Sequence, residues 1–141
     1  MATKILAEFK LTGANVNPEE VTSLLGIEPT ESWRKGDQIL NSLLTHKHDG
    51  WLLSTREEES LDLNNQLRSV LDQLKSHFSK IKDVCARLHL EAEIGFAVYV
   101  ENGETPALHF DKDIVQIAAD LNAEIDIDLY VFSSSEDDSK P

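Results

Sequence analysis

The segment LRSVLDQLKSHFSKIKDVCARL, residues 67–88, decides how the rest of the chain is read. Leu67, Leu71, Leu74, Phe78, Ile81, Cys85 and Leu88 recur at alternating spacings of four and three, which on a helix makes one continuous apolar seam. Val70 and Val84 widen it. Burying such a seam contributes roughly 10–20 kcal/mol gross, before the entropy of ordering the chain is subtracted. A coiled coil would use the same seam, but its short length and irregular flanking charges favour packing on a sheet of the same domain. The spacing predicts one long helix that organises a core.

Strand patterns lie on either side of it. From Lys4 to Thr12 the chain alternates, with Ile5, Ala7, Phe9 and Leu11 on one face and Lys4, Glu8, Lys10 and Thr12 on the other. A short helix follows, with Asn17 as N-cap, Pro18 in the first turn and Glu20 three residues after the cap. Val21, Leu24 and Leu25 form its stripe, and Gly26 ends it. Trp33 to Asp37 reads as a strand entering a turn, and Gly50 to Thr55 as a strand. Gln38 to Asp49 has no period and is expected to be a loop or irregular hairpin.

Beyond the long helix, Ile94, Phe96, Val98 and Val100 alternate with Glu93, Gly95, Ala97 and Tyr99. Asn102-Gly103 then signals a hairpin, and burial of Leu108 and Phe110 opposite Val98 and Phe96 favours a three-residue loop. Pro106 places the returning strand at an edge. Asp111 is positioned to cap a last helix carrying Ile114, Val115, Ile117, Ala118 and Leu121, with Asn122 as a left-handed terminator. The final strand, Glu124 to Phe132, turns Ile125, Ile127, Leu129 and Val131 inward and Glu124, Asp126, Asp128, Tyr130 and Phe132 outward.

The opening βαββαβ order predicts a ferredoxin-like α+β sandwich, extended by a C-terminal strand, helix and strand. Helices would cover one face of a mostly antiparallel sheet and leave the other open. Residues 1–132 are expected to form this single domain, and residues 133–141 a disordered acidic tail.

Composition narrows the function classes. Lys and Arg number 13 against 26 Asp and Glu, a formal charge of −13 that opposes binding to nucleic acid or to anionic membranes. The same charge suits a basic protein partner, although solubility alone also explains it. The chain shows no signal peptide and no apolar run of bilayer length, and its one cysteine rules out an internal disulfide. A cytoplasmic location is the simplest expectation.

Three segments, taken in order, carry a family resemblance. They are Ile27-Glu28-Pro29-Thr30 leading to Trp33-Arg34-Lys35-Gly36-Asp37, then Gly50-Trp51-Leu52-Leu53-Ser54, then Ile125-Asp126-Ile127-Asp128-Leu129-Tyr130. With them the chain resembles, up to Phe132, the bacterial domain of unknown function numbered four-two-seven-nine. The resemblance implies a small, stand-alone, cytoplasmic bacterial domain and transfers no activity. Acidic bacterial proteins of this size and build include immunity proteins that neutralise toxins, an analogy of class rather than of family.

Individual residues carry little catalytic signal. The chain has no nucleophile elbow, glycine-rich phosphate loop or metalloprotease helix motif, and no cofactor is expected. His46 and His48, two apart, would share one strand face beside Asp49, but a zinc site needs three or four ligands, so no metal is expected. Cys85 lies on the apolar seam, where a free cysteine acts as a small hydrophobe. Trp33, Arg34, Lys35, Asp37 and Trp51 are the alternative ligand-binding or enzymatic cluster, with cross-strand packing and a Gly-Asp turn as their structural explanation.

The leading candidate is the outer sheet face. Strand parity turns Glu8, Glu93, Tyr99, Asp126, Asp128, Tyr130 and Phe132 away from the helices. If the strands are neighbours, carboxylates that pair with Arg or Lys surround aromatics that supply contact area. A non-enzymatic domain binding a basic protein is the reading this supports. Self-association through an edge strand or the open face, as an oligomeric structural module, is the remaining alternative.

Overall fold

The computed structural model describes residues 2–132, so the expected acidic tail, 133–141, lies outside the described residues. β1 (Lys4–Gly13) runs through the middle of the sheet, and its inward residues Ile5, Ala7, Phe9 and Leu11 are at most 1% exposed. It pairs antiparallel with β3 (Asp49–Ser54) on one side and β5 (Glu91–Glu101) on the other. β2 (Glu31–Trp33) lies beyond β3 and is antiparallel to it. β6 (Ala123–Phe132) lies beyond β5 and is parallel to it. A two-residue strand, β4 (Glu58–Glu59), extends the pairing along the Lys4 end of β1.

The order β2-β3-β1-β5-β6 inserts β3 between β1 and β2, which α1 (Pro18–Leu25) connects. This is the split βαβ of a ferredoxin-like α+β sandwich, extended by α4 (Lys112–Asp120) and β6. The inward side chains of β1, β3 and β5 and the apolar stripes of the helices form one buried cluster. No helix among the described residues is long and apolar enough to cross a membrane.

The predicted caps of α1 are present. The Asn17 side chain accepts from the Glu19 N–H at 3.0 Å, and Gly26, at φ 73°, donates its N–H to the Thr22 carbonyl. The long helix is corrected. It begins earlier, at Leu63, where the Asp62 carboxylate accepts from the Asn64 and Asn65 N–H groups, and it is two helices. A 3₁₀ turn at Lys75–His77 separates α2 (Leu63–Leu74) from α3 (Phe78–Leu88). The two halves rest on different surfaces, α2 against β1 and α3 against α1, so the seam must change direction between them. Leu67, Leu71 and Leu74 are buried, whereas Phe78, Cys85 and Leu88 are only partly so.

The predicted hairpin after β5 is also corrected. Asn102 and Gly103 do turn the chain, at φ 53° and 72°, with the Glu104 N–H bonded to the Glu101 carbonyl. No returning strand follows; Pro106 is buried, and Leu108 is 55% exposed. Two long-range anchors take this segment. The Thr3 hydroxyl accepts from the Glu101 N–H and donates to the Glu104 carbonyl. The Asn64 side chain, nearly buried, donates to the His109 carbonyl and accepts from the Asp111 N–H, both at 2.8 Å. The edge of β5 that a hairpin would have used is filled by β6. Asp111 does start α4, but its carboxylate pairs with Arg68 at 2.8 Å instead of capping the helix.

Between β2 and β3 the chain forms the expected irregular hairpin, with a bridge between Gln38 and Thr45. Its base is held by Asp49, a buried carboxylate that accepts from the Lys35 N–H at 2.7 Å, the Val16 N–H at 2.8 Å and Arg34 Nε at 3.4 Å. Those backbone N–H bonds, chiefly from Lys35 and then Val16, hold its carboxyl below the ordinary range.

β6 departs from expectation in coverage, not in orientation. Ile127 packs against the core cluster, but Ile125, Leu129 and Val131 are 36%, 48% and 73% exposed. As the last strand of the sheet, β6 has a neighbour on one side only among the described residues.

Candidate protein-binding face

On the side of the sheet away from the helices, registers align the outward residues of β1, β5 and β6 in rungs. Glu8, Gly95 and Asp126 share one rung; Lys10, Glu93 and Glu124 the next; Leu6, Ala97 and Asp128 another; Lys4, Tyr99 and Tyr130 the one beyond. Gly95 sits at the middle of this arrangement for a steric reason. A Cβ on it would lie 3.0 Å from Glu8 Cγ and 3.1 Å from Glu8 Oε2, so the glycine lets the Glu8 side chain lie over the backbone.

The carboxylates of Glu8, Glu93, Glu124, Asp126 and Asp128 thus line neighbouring rungs, with Lys10 among them, its Nζ 3.2 Å from Glu93 Oε1. The crowding has an electrostatic signature. Partial burial pushes the Glu8 carboxyl up, and Glu93, Asp128 and Glu31 add to that against the opposing pull of Lys10. Burial likewise raises Asp128, helped by the charge of Asp126 and a hydrogen bond with it. Tyr99 and Tyr130 stack beside the carboxylates, centroids 5.2 Å apart and planes 14° apart. Phe132, opposite Glu101, closes the aromatic end beside a depression of about 190 Å³ that Tyr99 and Lys4 also line.

All seven residues expected on this face are there, and on neighbouring strands. Strand parity also put Gly95 and Lys10 on this face, but not their part in organising it. A glycine at an outward strand position is the available signal, because it marks a close approach.

The alternative cluster does not assemble. Trp51, paired across from Ser32, points into the core, is 1% exposed and donates from Nε1 to the Thr22 hydroxyl at 3.0 Å. Trp33, paired across from Gly50, lies on the other side of the sheet and covers that glycine; a Cβ there would meet its indole at 2.1 Å. The two indoles are therefore separated by the sheet. Asp37 accepts from the Arg34 N–H at 2.8 Å, which makes the turn, and the Lys35 and Arg34 donors are held by Asp49.

The histidine pair gains no further ligand. His46 stacks on Trp33, centroids 4.4 Å apart, and Asp49 is occupied by its backbone donors. Among the described residues no three His, Cys, Asp or Glu side chains are grouped to hold a metal ion. Cys85 is partly buried on α3, and that burial pushes its thiol up to about 11, away from the thiolate needed for nucleophilic chemistry.

Neither a curated protein nor a solved structure matches the chain. A family model does, over residues 2–132, and by that match the chain belongs to the family described as a domain of unknown function (DUF4279).

Proposed function

We infer that this chain is a non-enzymatic protein-binding domain that recognises a basic partner through its acidic, aromatic sheet face. The observation that carries the reading is the crowding around Gly95, where Glu8, Glu93, Glu124, Asp126 and Asp128 outnumber Lys4 and Lys10 on the uncovered side of the sheet. Like charges held this close work against the fold, and an Arg or Lys from a partner would relieve them while making charge-assisted hydrogen bonds. The stacked tyrosines beside them offer rigid contact area at small entropic cost. A nucleic-acid ligand would meet the wrong sign of charge.

The narrower form of the reading places the domain in the bacterial cytoplasm as an immunity-like protein, its partner a basic toxin that it neutralises. Co-expression with that partner would then restore growth.

The test is affinity capture from the native cell, followed by a salt series on the recovered protein. Binding is expected to weaken as salt rises, and to fall about ten-fold or more in an Asp126→Lys/Asp128→Lys double variant that melts near the parent temperature. Unchanged affinity in that variant removes this face from the interaction.

A further inference from the structure

Natural proteins keep edge strands short, charge their inward positions or cover them. Among the described residues β6 follows none of these rules: it is ten residues long, and Leu129 and Val131 are 48% and 73% exposed on its inward side. Tyr130 and Phe132 are 46% and 47% exposed on the other.

We propose that β6 pairs antiparallel with β6 of a second copy, about a two-fold axis normal to the sheet that passes through Leu129. The register selects this occupant. Centring the pair on Ile125, Asp126, Ile127 or Asp128 sets a carboxylate against a carboxylate, which opposes pairing. Centring it on Leu129 faces Asp128 with Tyr130 and Asp126 with Phe132 on one side of the sheet. On the other side Leu129 meets its own copy and Ile127 meets Val131. Registers centred on Tyr130 or Val131 also avoid facing carboxylates but use fewer residues of the strand. The Leu129 register is the longest one in which no like charges stand directly opposite each other, and it is self-complementary, as a two-fold interface must be.

The resulting sheet runs unbroken through both copies, with both acidic faces on one side. The inference does not rest on the partner reading, and salt separates the two. Each copy carries −13, so screening strengthens self-association while it weakens attraction to a basic partner.

Sedimentation equilibrium from low micromolar to near-millimolar chain, at low and high salt, tests it. The expected result is a shift from the mass of one chain to that of two, reached at lower concentration in high salt. Leu129→Lys and Val131→Lys, both at exposed positions, should each weaken the dimer at least about ten-fold while circular dichroism stays that of the parent. In a Cys85→Ser background, a short thiol crosslinker should join Leu129→Cys chains far faster than Ile125→Cys chains. A single-chain mass throughout, a dimer indifferent to both lysines, or crosslinking as fast at 125 as at 129 would overturn the proposal.

Discussion

β1 and β6 are both ten-residue strands, and both alternate apolar with polar side chains. In β1 the inward residues are at most 1% exposed; in β6 they reach 73%. Alternation states which side a residue faces and nothing about what lies over it. β1 has β3 and β5 beside it and α2 above it. Among the described residues β6 has β5 alone, and α4, which packs on it, buries Ile114 and Ala118 while leaving Val115 half exposed. The two strands carry the same pattern in different settings, one in a core within the chain and one where we propose a surface between chains.

The largest expected effect tests that contrast directly. Phe9→Ala in β1 should cost about 3–5 kcal/mol, the loss of a fully buried ring plus the cavity it leaves. Leu129→Ala in β6, measured at a concentration where the chain is monomeric, should cost under about 1 kcal/mol. Urea denaturation of both variants decides. Comparable losses would mean that β6 is as much part of the core as β1, and the contrast would fail.

A second prediction concerns how the two margins of the sheet are held. The β2 margin is tied to the core by Asp49, whereas among the described residues no buried carboxylate anchors β6. Asp49→Ala leaves the buried Val16 N–H without its acceptor and should cost about 2–3 kcal/mol at neutral pH. Because the folded carboxyl lies below its unfolded value, its contribution is present above about pH 4 and is lost as pH falls through the folded value. The stability gap between parent and variant should therefore narrow in acid. A gap that stays constant or widens there would show that Asp49 does not act through its ionised form.

The contrast also explains what could be read in advance. β1, α1 and β5 carry their instructions locally, in alternation and in caps such as Asn17 and Gly26. The outward placement of the seven face residues followed from parity alone, because each sits on a strand whose inward residues are unmistakable. The path from β5 to β6 was not legible, since Asn102-Gly103 is a genuine turn whose hairpin is overridden by Thr3, Asn64 and Arg68, far away in sequence. The break at Lys75–His77 carries no Gly or Pro; it answers to α3 resting on α1, a contact no local pattern records. Trp33 and Trp51 seemed to belong together because adjacency on strands was inferred without register, and register places them on opposite sides.

The smallest expected effect concerns the outward faces. Between β1 and β5, Lys10 and Glu93 form an opposite-charge pair at 3.2 Å, each side chain 30% exposed. Within β6, Asp126 and Asp128 form a like-charge pair, and Asp128 is raised first by burial and then by Asp126. A carboxyl raised in the folded state contributes most below its unfolded value, and that contribution is lost as pH rises through the folded value. Asp128→Asn should therefore stabilise the chain at neutral pH, by about 0.5 kcal/mol given how exposed the site is to solvent screening. The gain should vanish in acid, where Asp128 is already protonated. Glu93→Gln should change stability less, since it removes a favourable partner from Lys10 and, at the same time, a like charge from beside Glu8 and Asp128. Thermal melts of both variants across pH read the two effects. If Asp128→Asn destabilised at neutral pH, the β6 carboxylates would be serving the fold, and the reason for assigning them to a partner would be gone.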